Sequence, residues 1–118
     1  MLDISRMLSI ETDDRDPEGP VLVVSGEIDI HSVTRLSEAL EAALGGHPVR
    51  VVVDLEAVSF LGSAAVAALA RANTAAWPHT TFSVVAAGAA ARPLRLTARE
   101  TGLTLYPRRA MALAQTPL

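Results

Sequence analysis

The chain has 118 residues, a formal net charge of −3 and no cysteine, and half of its residues are apolar. Disulfides, thiolate catalysis and cysteine-ligated metal sites are therefore excluded, and there is no bulk positive charge to drive non-specific nucleic-acid binding. Phe60, Trp77, Phe82 and Tyr106 are the only aromatic residues, too few for a base-stacking platform.

The length predicts a single domain over residues 1–118, long enough for one core. No apolar run reaches the roughly 18 residues of a membrane-spanning helix, and residues 1–6 lack the apolar region of a signal peptide. A soluble, cytoplasmic chain is expected, with no membrane insertion and no direct DNA binding.

Residues 2–11 alternate loosely and predict a first strand. Residues 13–20 are acidic, carry Pro17, Gly19 and Pro20, and predict an exposed turn. The β-branched run 21–25 predicts a buried strand, antiparallel to the first. Ser32 is placed to cap a helix starting at Val33, whose Val33, Leu36, Leu40, Ala43 and Leu44 form one apolar stripe. Gly45-Gly46 is expected to stop it, with Pro48 preventing its return. Residues 49–55 predict a strand covered on both faces, ending near Leu55.

An alanine-rich helix is expected from Ser63 to about Ala76, ended by Pro78. Its small residues suit either tight packing on a sheet or a partner interface. A strand over 81–86 follows, then a helix from Ala90 or Arg92 to Thr101, with Pro93 in its first turn and Gly102 at its end. A short strand over 103–106, a helical turn or two over 108–114 and a loose tail over 115–118 complete the chain. This alternation predicts an α/β fold with a mixed, mostly parallel sheet flanked by helices.

Three segments carry candidate chemistry. Ser63 stands at a strand-to-helix junction, where α/β folds place ligand and partner sites. Taken alone it is a plain N-cap, its hydroxyl accepting from the amide of Ala65 or Val66. The same geometry suits a phosphoacceptor, because a helix N-terminus tolerates added negative charge. In Ser25-Gly-Glu-Ile-Asp29, Glu27 and Asp29 put carboxylates on one rim of the sheet, where solvation and turn capping also account for them. Arg92, Arg95 and Arg99 share one helix face, with Arg108 and Arg109 soon after. A solvated face explains them better than an anionic partner does. His31, His47 and His79 are scattered over separate segments. Neither a catalytic Ser63 nor a histidine metal site is expected, and no cofactor.

These segments, in this order, resemble the STAS domain shared by anti-sigma factor antagonists and the cytoplasmic tails of sulphate transporters. Ser25-Gly-Glu-Ile-Asp29 is similar to the family's Gly-Glu-Leu-Asp after the second strand. Phe60-Leu-Gly-Ser-Ala-Ala65 is similar to Phe-(Met/Leu)-Asp-Ser-(Ser/Thr/Ala)-Gly. Thr101-Gly-Leu103 and Arg109-Ala-Met-Ala-Leu113 are similar to its closing segments. The resemblance implies a STAS-like fold and a non-enzymatic binding switch. In it, an anti-sigma factor with a GHKL-type serine kinase domain phosphorylates Ser63, and a PP2C-type phosphatase resets it. The unphosphorylated form binds the kinase and frees a sigma factor, and the ATP belongs to the partner. The partner-binding surface implied is Glu27, Asp29, Gly62, Ser63, Ala64 and Val66.

The departures are Gly62 for the family's Asp, Ala65 for its Gly, and Thr97 and Glu100 where an apolar residue is usual. Losing the carboxylate before Ser63 removes a group that orients phosphoryl transfer. Two alternatives accompany this expectation. One is a constitutive STAS subunit of a larger complex, a stress-signalling scaffold or a lipid-transport accessory, without phosphorylation. The other is a small hydrolase pairing Ser63 with His31 or His79.

Overall fold

A computed structural model describes residues 7–115. The elements are β1 (Ser9–Asp13), β2 (Val21–Ile28), α1 (Val33–Gly45), β3 (Arg50–Leu61), α2 (Ser63–Ala76), β4 (Thr81–Val85), α3 (Ala91–Thr101), β5 (Thr104–Tyr106) and α4 (Arg109–Ala114), with a 3₁₀ turn, Gly88–Ala90, leading into α3. The five strands form one sheet in sequence order; β1 and β2 are antiparallel and the other pairs parallel. The part of the expected first strand over residues 2–6, and the tail over 116–118, lie outside the described residues.

Alternation along the strands decides which side chains meet which helices. Val51, Val53 and Leu55 of β3 join Leu22, Val24 and Ile28 of β2 and Phe82 and Val84 of β4 in the main core. Leu36 and Leu40 of α1, Leu69 of α2 and Leu94 of α3 close it. Leu36, Leu69 and Leu94 are fully buried, each stabilising the fold by about 1.5–3 kcal/mol. The opposite face is smaller: Val21, Val52 and Val85 pack with Ala112 of α4.

That second face also buries charge. Arg50 is 6% exposed and Asp54 4%. The Arg50 guanidinium donates from Nη1 to the carbonyls of Leu113 and Gln115 at 3.1 and 2.8 Å, and from Nη2 to Asp16 at 2.7 Å. Arg109 donates to Asp54 Oδ2 at 2.8 Å. The two arginines thus hold α4 at both ends, and Arg109 is set apart from the exposed Arg92, Arg95 and Arg99 of α3. Within α3, the Thr97 hydroxyl donates back to the Pro93 carbonyl at 2.7 Å, which satisfies a polar group at a position usually apolar, and Glu100 is exposed.

Two local expectations are corrected, at the end of β3 and at the Ser32 cap. β3 does not end near Leu55 but continues to Leu61. Its pairing with β2 shifts register twice, between Val23 and Ser25 and between Gly26 and Glu27, so β3 carries extra residues that keep it in the sheet while bending it. α1 stops at Gly45-Gly46 as expected, with Gly46 as its C-cap at an ordinary φ of −86°; the left-handed residue that follows is His47 (φ 50°), its amide donating to the Leu44 carbonyl at 3.0 Å. Ser32 stands at the N-cap of α1, but its hydroxyl makes no cap bond because Asp29 engages it.

Candidate functional site

The site lies where β2 and β3 end side by side. Ile28 pairs with Leu61 in the sheet, and the Gly62 amide donates to the Ile28 carbonyl at 2.9 Å. The chain then turns directly into α2. The two sequence segments singled out above are thereby brought together: a Cβ placed on Gly62 would lie 3.8 Å from the Asp29 α-carbon.

Ser63 is exposed and is the first residue of α2. It is not the N-cap. Gly62 takes that position (φ −81°, ψ 169°), and its carbonyl accepts from the amides of Ala65 and Val66 at 3.1 and 3.3 Å. The helix begins without a side-chain cap, so the Ser63 hydroxyl is not committed to holding it. The amides of Ser63 and Ala64 precede the first intrahelical bonds and give this end its positive dipole.

Asp29 is half-buried and tightly organised. Its Oδ1 accepts from the His31 amide at 2.9 Å, the Ser32 amide at 3.0 Å and the Ser32 hydroxyl at 3.1 Å. Burial pushes the carboxyl up, but the hydrogen bonds from His31 and Ser32 outweigh it and hold Asp29 below the usual carboxylate range. Asp29 is therefore a fixed anion that shapes the β2–α1 loop. Glu27, two residues earlier in β2, is half-buried.

Of the other expected surface residues, Gly62 and Ala64 are half-buried, and Val66 packs partly against the main core. Two residues that the sequence did not single out complete the rim: Phe60, 50% exposed, and Ile30, 75% exposed. Phe60 Cε2 would stand 3.4 Å from a Cβ on Gly62, so the ring lies against the turn that presents Ser63. Their signal was an apolar residue in a stretch that reads as loop.

Of the two histidines considered as a base for Ser63, His79 lies away from it. His79 precedes β4 and sits beside His47, which precedes β3, at the opposite end of the strands. Among the described residues, no group of three or more metal-ligating side chains is found, and no helix is long and apolar enough to cross a membrane.

A family model described as "Mlab, STAS domain" matches residues 11–104. The chain belongs to the STAS-domain family. The STAS fold explains the sequence-ordered mixed sheet and the strand-to-helix turn that presents Ser63. Among curated relatives, the anti-sigma-F factor antagonist RsfB of Mycobacterium tuberculosis is 34% identical over 87 residues, covering 73% of this chain and 71% of that protein. The crystal structure of an anti-sigma factor antagonist from Mycobacterium paratuberculosis superposes with a TM-score of 0.85 at 36% identity, covering 95% of this chain and 96% of the other. The phosphorylated form of the Bacillus cell fate determinant SpoIIAA shares the fold, with a TM-score of 0.64, 16% identity and coverage of 89% and 96%.

Proposed function

We propose that this STAS domain is an anti-sigma factor antagonist, a cytoplasmic binding switch gated by phosphorylation of Ser63. The observation that carries the reading is the exposed Ser63 at the mouth of α2, beside the ordered Asp29 and the exposed apolar side chains of Ile30 and Phe60. The relatives named as antagonists supply the partner class. The docking surface is Glu27, Asp29, Gly62, Ser63, Ala64 and the exposed part of Val66, extended by Ile30 and Phe60.

In this reading the unmodified face binds an anti-sigma factor that carries a GHKL-type serine kinase domain, and so frees the sigma factor. The partner holds ATP. Ser63 Oγ attacks its γ-phosphorus, the bond to ADP breaks, and the hydroxyl proton passes to a base on the partner. A PP2C-type phosphatase hydrolyses the ester and resets the switch. The gate is electrostatic. A phosphoryl group adds about −1.5 to −2 charges to a rim that already bears Glu27 and Asp29 and whose exposed centre is apolar. The free amides of α2 accommodate that charge without unfolding, while a partner burying Ile30 and Phe60 against it must desolvate a dianion. The chain itself performs no catalysis.

The test is binding of the cognate anti-sigma factor to wild type, Ser63→Ala and Ser63→Asp, together with intact mass of the protein from cells. Tight binding by Ser63→Ala, loss of binding by Ser63→Asp and a mass increase of one phosphoryl group on Ser63 support the switch; equal affinity of the two variants overturns it. Gly62 favours a second reading, a constitutive STAS subunit of a larger complex, because no carboxylate precedes Ser63. That reading predicts stable co-purification and an unmodified mass.

A further inference from the structure

We propose that His47 and His79 form a two-ligand site for a divalent transition-metal ion, at the end of the sheet away from Ser63. The histidines are far apart in sequence, but the parallel pairing of β3 and β4 sets Arg50 opposite Thr81 and brings the segments before them side by side. Two bonds fasten these segments. The Thr80 hydroxyl donates to the Pro48 carbonyl at 2.6 Å, and the Thr81 amide to the Val49 carbonyl at 2.9 Å.

The imidazole centroids are 4.8 Å apart with their planes inclined by 60°, so the rings are neighbours without stacking face to face. An ion bound to one nitrogen of each ring at about 2.0–2.1 Å, with the nitrogens at roughly 90–110°, puts the ring centres about 4.5–5.2 Å apart. The observed spacing falls in that window. His47 holds a left-handed backbone (φ 50°) directly after Gly45-Gly46, a conformation glycine adopts freely and a β-carbon disfavours. The chain thus presents an imidazole where a third glycine would be less strained. Both histidines are exposed, which leaves the remaining coordination positions open to water. Imidazole pairs suit zinc, nickel and copper ions rather than magnesium or calcium.

The test is calorimetric titration of the tag-free chain with Ni²⁺ and, separately, Zn²⁺, with thermal unfolding in parallel. One ion per chain is expected, with a rise in Tm on binding. His79→Ala and His47→Gly should each weaken binding by about tenfold or more, and His31→Ala should leave it unchanged. His47→Gly relieves the left-handed strain, so its metal-free Tm should equal or exceed that of wild type, and loss of binding in that variant is not loss of fold. Wild-type affinity in His47→Gly or His79→Ala, equal weakening by His31→Ala, or no binding to the wild-type chain overturns the proposal. None of these outcomes bears on Ser63.

Discussion

The amide of Gly62 donates to the carbonyl of Ile28 across 2.9 Å. That bond joins the end of β2 to the mouth of α2 and sets the residue before Ser63 against the Asp29 loop. Gly62 is not there for its backbone, since a φ of −81° is open to any residue. An added Cβ would meet the Ile28 carbonyl oxygen at 3.3 Å, a contact that the backbone must relieve by a few tenths of an ångström, and Phe60 Cε2 at 3.4 Å, an ordinary contact. Gly62 is also the N-cap of α2, where aspartate is a few tenths of a kcal/mol better than glycine. The crowding and the cap offset each other. Gly62→Asp is therefore expected to keep its Tm within about 2 °C of wild type and, if the cognate kinase phosphorylates Ser63, to raise the initial rate of transfer. Thermal unfolding and a phosphotransfer time course check the two halves separately.

Asp54 tests how α4 is held. Its carboxylate is buried beneath α4, accepting from Arg109 at 2.8 Å and from the Glu56 amide at 3.0 Å. Arg109→Ala leaves that charge buried without its cation. The expected loss is about 3 kcal/mol, at the low end for a broken buried pair because Arg109 is itself partly exposed. Adding Asp54→Asn to Arg109→Ala should recover part of the loss by removing the stranded charge. Urea unfolding of both single variants and the double variant closes the cycle.

Much of this arrangement was legible in the sequence. The stripe from Val33 to Leu44, the helix from Ser63 to Ala76 and the stop at Gly102 all rest on local signals, and the structure places them there. The second half of β3 was not legible. Its buried residues Val58 and Leu61 are three apart, because extra residues in the strand break the two-residue alternation by which strands are read. Long-range pairing hid the rest. The union of Asp29 with Gly62, the engagement of Arg109 by Asp54 and the meeting of His47 with His79 each depend on strands aligning, which no local pattern encodes. Ser32 and Ser63 show the same limit in small: each looked like a cap, yet Asp29 engages the first and Gly62 takes the cap position of the second.

Three aspartates make the fold acid-sensitive. Hydrogen bonds from the Arg15 side chain and amide hold Asp13 far below the ordinary carboxylate value, and the Glu18 amide and the Arg50 guanidinium lower Asp16. Asp29 is lowered by His31 and Ser32 against the effect of burial. In each case the native state binds its proton more weakly than the unfolded chain does. The stabilisation is thus complete above the unfolded value of about 4 and is lost as pH falls below it, through the depressed native values. Tm is expected to be nearly flat from about pH 7 to 5 and to fall steeply below about pH 4. Asp16→Asn should begin less stable at neutral pH and lose less on acidification. A Tm series against pH for both proteins measures the difference in slope.

Gly19 and Gly45 offer a paired test of what the acidic β1–β2 loop contributes. Gly19 has φ 151°, and a Cβ there would stand 1.7 Å from the Arg50 carbonyl oxygen, at the point where the Glu18 carbonyl accepts from the Arg50 amide. No side-chain adjustment relieves a collision with backbone. Gly19→Ala must push the loop away from β3, and with it the Asp16 carboxylate from the buried Arg50 guanidinium. A loss above about 3 kcal/mol is expected. Gly45 closes α1 with nothing within 4 Å of its would-be Cβ, so Gly45→Ala should be neutral or stabilising by up to about 0.5–1 kcal/mol. Urea midpoints for the two variants separate the explanations. If both lose stability equally, the cost belongs to glycine replacement in general; a large loss at Gly19 alone assigns it to the packing of the loop on Arg50.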